Sequence, residues 1–381
     1  MGGNAFASLG LATPRMKPET YFEVKRRHHD ILARVYAHVV TPPEAPGKTT
    51  YGDVDFLVAS PLPTTTTTAT TAADRVKAAF GAEHTIPNAS VRSYAVPMPA
   101  ELLHSVDTGE SGKVYAQIDV HECASVTSAE WMAFKHGYGD FWSILGRIAR
   151  AKGLVADERG LKLVIAEIEG KNKEAAKVEL TRDVGETLRF FGLDEAVYAA
   201  GFGDLEAVFG YITSSRFYEQ RYFRRRWARG KDLKKVKKRE MLRLFLEYVG
   251  VEAGVEGDED GGDGEEEKED NEEEEEEERV TREQVLEEAL ERFGKRAEYE
   301  DRLQSWRRAE RTDAVVRAVV GAAVRSGRVS KRAAKVEASE VRRRLAAGEM
   351  AEVFEVPADD LARLIDGLVI DSCSSNIVTT D

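Results

Sequence analysis

The chain has 381 residues, 42% of them apolar, with a formal charge of −13 and two cysteines, Cys123 and Cys373. That length suggests about two to three domains with buried cores; the cysteine count excludes a disulfide framework or a cysteine-rich zinc site, and no apolar run approaches the roughly 18–20 residues of a membrane span. The charge is uneven, because Glu256 to Glu278 holds seventeen acids and one Lys, leaving the remainder at +3.

The opening residues, MGGNAFASLG, have neither the basic start nor the apolar core of a secretory signal. Phe6 stands where an N-myristoylation motif needs Ser or Thr. The expectation is a soluble intracellular protein, cytoplasmic or nuclear, without a membrane partner.

Pro18 to about Val40 has apolar residues at near-helical spacing (Tyr21, Val24, His28, Ile31, Leu32, Val35, Tyr36) and predicts a helix. Pro42, Pro43, Pro46 and Gly47 then force a turn. Asp53 to Ala59 alternates with period two and predicts a strand. Pro61 to Thr71 is a Thr-rich loop, Ala72 to Phe80 helical, and His84 to Pro97 and Lys113 to Glu122 strands. Trp131 to Gly153 is mostly helix, Thr181 to Val249 helical, and Thr281 to about Asp366 helical again after the acidic run. That run cannot bury enough apolar surface to order itself and is expected to be a linker. The expected organisation is an α+β part at 1–180, a helical region at 181–250, an acidic linker at 251–279 and a helical region at 280–370.

The stretch Pro46 to Val58 (PGKTTYGDVDFLV) carries the chemistry. Asp53 and Asp55, two apart on a strand, project to one face, while Val54 and Phe56 point to the other. Paired carboxylates repel, and a divalent cation with a preference for oxygen, Mg²⁺ or Mn²⁺, relieves that. Asp119 lies between Ile118 and Val120 in QIDVH, a poor place for a lone acid on a strand. If that strand lies beside the first, Asp53, Asp55 and Asp119 converge on a site for two ions about 3.5–4 Å apart.

Gly47-Lys48-Thr49-Thr50 is not a P-loop, because Pro42 occupies the position of its first Gly and a strand follows instead of a helix. It is either a plain loop or a tight turn whose N–H groups, with Lys48 and the two hydroxyls, meet phosphate.

Through these residues the chain resembles the DNA polymerase β-like nucleotidyltransferase superfamily. The match is to its minimal palm: a helix, a turn, Gly52-Asp53-Val54-Asp55, and a later hydrophobic–Asp–hydrophobic strand around Asp119. Pro42-Pro43 stand where that family has Gly-Ser. A closer resemblance is to predicted nucleotidyltransferases of phages and fungi, through Gly2-Gly3-Asn4-Ala5-Phe6, Gly47-Lys48, the Gly-Asp-Val-Asp run, and Phe134 to Leu154 with its Tyr-Gly turn and helix. The resemblance covers about residues 1–200. It implies an α+β polymerase β-like palm, a mixed sheet with helices, followed by a helical region. It also implies transfer of a nucleoside monophosphate from an NTP to an acceptor hydroxyl using two Mg²⁺ or Mn²⁺ ions. Asp53, Asp55 and Asp119 would be catalytic and metal-binding, and Gly2, Gly3, Gly47, Lys48 and Gly52 nucleotide-binding.

Other residues have two readings each. Asp140 fits a helix N-cap, and Arg147 and Arg150 either reach triphosphate or form a solvated helix face. His121 shares the Asp119 face, and Cys123 suits a small buried residue better than a nucleophile. Arg216 to Arg239 holds twelve basic residues against Glu219 and Asp232, with Phe217, Tyr218, Tyr222, Phe223 and Trp227 interleaved. It is either a nucleic-acid surface, centred on Arg224, Arg225, Arg226, Trp227, Lys234 and Lys235, or an amphipathic helix with its aromatics in the core. The first makes an RNA 3′ end the preferred acceptor. The alternatives are a protein or small-molecule acceptor, and a non-catalytic nucleic-acid-binding protein on a decayed palm.

Overall fold

A computed structural model of the chain describes residues 3–63, 71–105, 113–224, 239–251, 279–325 and 334–347. Most of the Thr-rich loop, the acidic run and Cys373 therefore lie outside the described residues. The chain divides into two compact units, one of residues 1–164 with 177–293, the other of 165–176 with 294–381. This division cuts across the segments expected from composition: helices after residue 181 belong with the sheet, as does Arg282–Arg292.

The first unit is built on a mixed five-stranded sheet in the order β1-β2-β5-β4-β3. The strands are β1 (Tyr36–Val40), β2 (Val54–Pro61), β3 (His84–Asn88), β4 (Val91–Pro97) and β5 (Tyr115–Glu122). β2 and β5 run parallel at the centre, and the other neighbours pair antiparallel. Pro87 sits on β3, an edge strand, where a missing N–H is tolerated. One face of the sheet carries Val54, Phe56, Val58, Ile118 and Val120, packed with Tyr21, Val24 and Leu32 of helix α1 (Pro18–Leu32) and with Val76 and Phe80 of α2 (Ala72–Phe80). α2 has the expected bounds for local reasons: Thr71 and Asp74 form a capping box, and Gly81 ends it in the left-handed region. The other face is covered at one end by α3 (Val126–His136), whose Ala129, Met132 and Ala133 meet Leu57 and Ala59.

Three expectations are corrected. α1 ends at Leu32, and Tyr36–Val40 is a strand paired with β2, from Tyr36↔Pro61 to Val40↔Leu57. Val35 and Tyr36 continue the helical spacing by coincidence, and strand pairing decides their conformation. The single strand expected over His84–Pro97 is a hairpin that turns at Ala89, which adopts a positive φ of 52°. The helix expected from Trp131 to Gly153 is two, α3 and α4 (Phe141–Ala151), separated by Tyr138 and Gly139, both left-handed.

A second, three-stranded sheet was not legible in the sequence. It comprises β6 (Leu154–Asp157), β7 (Gly160–Val164) and β8 (Lys177–Thr181). Buried beside it, Lys152 pairs with Glu219 at 2.7 Å, donates to the Val280 carbonyl and lies 5.3 Å from the Tyr222 ring centroid. In the second unit, Glu167 and Lys171 form ion pairs with Arg307 and Glu310 of the long helix Arg296–Arg325.

His28 is buried in α1, where its ring meets Phe80 edge-on and its Nδ1 lies 2.7 Å from the Val24 carbonyl. Burial pushes its pKa down to about 4. A histidine held neutral contributes stability above its unfolded pKa near 6.5, and that contribution is lost as pH falls towards 4. The loss approaches roughly 3 kcal/mol. His28→Leu should therefore flatten the acid limb of thermal melts between pH 6.5 and 4.5; an unchanged limb would show that His28 is not the group being protonated.

Candidate active site

The site follows from strand parity. β2 and β5 pair in register, with Val54 opposite Ile118, Asp55 opposite Asp119 and Phe56 opposite Val120. The alternate residues Val54, Phe56, Ile118 and Val120 are buried in the α1 face of the sheet. Asp55, Gln117, Asp119 and His121 therefore share the opposite face. That face is closed at one end by α3. At the other, Phe6 packs on Ala95 and Tyr115 with no exposed surface. Between these covers is a cavity of about 300 Å³ lined by Asp55, Asp119, Lys48, Glu44, His121 and His136, among others.

Asp53 stands just before β2. The Gly3 N–H donates to its Oδ2 at 3.0 Å. Asp119 accepts from Gln117 Nε2, at 3.2 Å to Oδ1 and 3.0 Å to Oδ2, and from the Ser93 hydroxyl on β4, its cross-strand partner. Loss of hydration nevertheless raises the Asp119 pKa, with Asp53 adding to the effect. Asp55 opens to solvent in the cleft but is walled by protein on its other sides. Loss of hydration, then Asp53, then Asp119 push its pKa up to about 7. Oxygen donors that repel one another fit a divalent cation by charge and by donor chemistry. Among the described residues, no three His, Cys, Asp or Glu side chains are already gathered around one point as a metal cage, in keeping with the separate partners held by Asp53 and Asp119.

The 42–50 loop supplies the opposite charge. Lys48 pairs with Glu44 at 2.6 Å and lies 4.6 Å from the Tyr51 ring centroid. Tyr51 stacks on Tyr21 at 3.8 Å, and the Tyr21 hydroxyl donates to Glu44. Lys25 of α1 joins this group: burial lowers its pKa, against the pull of Glu44 and Asp55. Sequence reading missed Lys25, whose only signal is its place on α1 one turn after Tyr21. Gly47 is left-handed at φ +74° and exposed. The Thr50 hydroxyl accepts from Arg15 Nε at 2.9 Å. Pro42 and Pro43 have no N–H to offer an anion. The Pro43 carbonyl instead accepts from the Tyr138 N–H at 2.6 Å, fixing the loop to the α3–α4 turn.

Gly3 and Gly52 are in backbone contact, so close that a Cβ on Gly3 would lie 2.3 Å from the Gly52 oxygen. Gly2 lies outside the described residues. Asp140 is at the α4 N-cap but makes no capping bond, and accepts from Arg239 at 2.9 Å instead. Arg147 and Arg150 do not line the cavity. His121 does, with Nε2 2.7 Å from the Ser90 hydroxyl. Cys123 packs against the Leu57 cluster, and burial raises its thiol pKa to about 11, unlike an activated nucleophile.

The basic segment divides. Phe217 and Phe223 have no exposed surface, so these two rings are not a stacking platform; Tyr222 is half-buried and its hydroxyl donates to Glu219. The Arg224 backbone ends a short helix, Arg221–Arg224. Arg225, Arg226, Trp227, Lys234 and Lys235 lie outside the described residues.

No protein-family model matches the chain, and no curated protein matches it. Among solved structures, polymerase beta of Leishmania infantum in a ternary gap complex is similar at 16% identity, over 46% of this chain and 67% of that one, with a TM-score of 0.32. Among the described residues, no helix is long and apolar enough to cross a membrane.

An acid whose folded pKa is raised loses stability as pH climbs from its unfolded value towards the folded one. For Asp55 that window runs from 3.8 to about 7. In chelator at pH 8, Asp55→Asn should melt above the wild type, and the gap should narrow from pH 7 to pH 5. A gap that widens on acidification would contradict the repulsion described here.

Proposed function

We propose that the first unit is a nucleotidyltransferase palm that moves a nucleoside monophosphate from an NTP to an acceptor hydroxyl and releases pyrophosphate. The observation that carries this reading is the in-register pairing of Asp55 with Asp119 on adjacent parallel strands, with Asp53 two residues before Asp55, beside a cavity rimmed by Lys48. Asp53 and Asp55 would hold two Mg²⁺ or Mn²⁺ ions, and Asp119 would complete the set. When bound, such ions lower the pKa of an attacking hydroxyl and neutralise charge on the leaving phosphates. Asp119 accepts or orients the proton of the acceptor hydroxyl as its oxygen bonds to the α-phosphorus and the bond to the β-phosphate bridge breaks. Lys48 and Lys25 take the triphosphate charge that Glu44 balances in its absence. With prolines at positions 42 and 43, side-chain ammonium groups carry more of this task than backbone N–H groups do.

The preferred acceptor is an RNA 3′ end, on the strength of the basic residues from Arg224 to Arg239. The burial of Phe217 and Phe223 favours a second reading, a protein or small-molecule acceptor, because it removes two of the rings that would stack on bases.

Incubation with Mg²⁺ or Mn²⁺, each labelled NTP and total RNA should put label into RNA, and an Asp53→Ala/Asp55→Ala variant should reduce it to background. Label in protein would select the second reading. No incorporation with any NTP, together with no metal-dependent NTP binding, would leave a non-catalytic binding protein on a decayed palm. If RNA is the acceptor, replacing Arg224, Arg225 and Arg226 by Ala should reduce the slope of log affinity against log salt by about two to three; an unchanged slope would place the RNA elsewhere.

A further inference from the structure

The first described residues are not a loose end. Several separate contacts hold them. The Gly3 N–H donates to Asp53 Oδ2 at 3.0 Å, and the Gly3 carbonyl accepts from Thr13 Oγ1 at 2.6 Å. The Ala5 N–H donates to Gln117 Oε1 at 3.0 Å. Phe6, fully buried, packs against Ala95 and Tyr115 on the carboxylate-bearing face of the sheet.

We infer that Gly3 to Phe6 form a brace that sets the directions of two of the three carboxylates, with Gln117 as the positioning residue that carries the constraint to Asp119. Gln117 is 3% exposed and lies two residues before Asp119 on β5, hence on the same face. Its amide has one chemically allowed orientation. The Ala5 N–H can only donate, so the Gln117 oxygen must face it. The Gln117 nitrogen is then turned to Asp119, within hydrogen-bond distance of both carboxylate oxygens. One end of the brace therefore sets Asp53 directly and the next residue but one sets Asp119 through Gln117. Gly3 is required because its left-handed φ of +81° and its contact with Gly52 leave no space for a side chain. The brace acts on carboxylates rather than on triphosphate: the one Gly3 N–H is already committed to Asp53. In metal sites such outer contacts orient the ligands, and their loss costs about 10- to 100-fold in affinity.

This inference rests on the proposed metal-binding role of the carboxylates, and the test separates the two. Mn²⁺ affinity of the full chain is measured by titration with EPR detection of free Mn²⁺, with thermal melting on the same samples. The wild type should bind and Asp53→Ala/Asp55→Ala should not. Gln117→Met, which keeps length and shape but not the amide, should bind at least about tenfold more weakly. Thr13→Val, which removes only the hydroxyl on the Gly3 carbonyl, should shift affinity in the same direction by less. A brace with a purely structural role would lower the melting temperature and leave the affinity of the folded protein unchanged. Wild-type affinity in Gln117→Met and Thr13→Val overturns the inference and leaves the metal reading standing. Absence of Mn²⁺ binding by the wild type overturns the metal reading, and the brace's role in metal binding falls with it.

Discussion

Two carboxylates placed opposite one another on neighbouring parallel strands are the constraint on which the rest of this unit depends. Strands in a sheet lie about 4.8 Å apart, so Asp55 and Asp119 are neighbours whatever their rotamers. A one-residue slip of β2 against β5 would turn Asp55 into the core beside Ile118 and Val120 and turn Val54, Phe56 and Val58 out of it. Hydrophobic burial on the far face therefore enforces an electrostatically unfavourable arrangement on the near one. The core is what makes the acid pair obligatory.

The near face is organised to tolerate that pair. Ser93 and Gln117 donate to Asp119, Gly3 donates to Asp53, and the cation Lys48 opposes the rise of the Asp55 pKa. Burial is the main reason the Asp55 carboxyl is pushed up to about 7, and the charges of Asp53 and Asp119 add to it. Lys48 is itself shared with Glu44, and Glu44 also takes the Tyr21 hydroxyl. The cleft thus holds acids on its floor and a mixed-charge rim, an arrangement that suits a cation below and an anionic group above.

How much of this was legible depended on whether a local signal had a single interpretation. Asp-Val-Asp followed by apolar residues admits one strand parity, and Ile-Asp-Val admits the same parity on a second strand, so the shared face could be read without a structure. Their adjacency could not, because parallel pairing is set by packing between distant segments. Val35 and Tyr36 fit both a helical and an alternating pattern, and only the partner strand chose. Leu154–Asp157 and Gly160–Val164 are too short for their patterns to separate strand from helix, and the one polar residue inside the second, Lys162, is buried against Asp157. Gln117 carried a usable signal that sequence reading passed over: a polar residue at the same parity as Asp119 on a strand otherwise apolar up to it. The aromatics from Phe217 to Phe223 carried an ambiguous one, and burial places Phe217 and Phe223 in the core while Tyr218 and Tyr222 stay half-buried.

The loop before β2 takes its shape from its two prolines. Successive prolines at 42 and 43 remove N–H donors and fix φ, and the Pro43 carbonyl is held by the Tyr138 N–H. Gly137 lies against the same proline, with room for no larger residue unless Pro43 or the Ala133 carbonyl moves. The loop is thus docked on the α3–α4 turn by its own backbone, which leaves Lys48 and Lys25, both on longer and softer side chains, to meet negative charge. An ammonium group attracts phosphate from several directions, whereas a row of N–H groups imposes one. Under the proposed function, a cleft built in this way gives up directional definition at the phosphates, and through the inferred brace of Gly3 and Gln117 gains it at two of the three carboxylates.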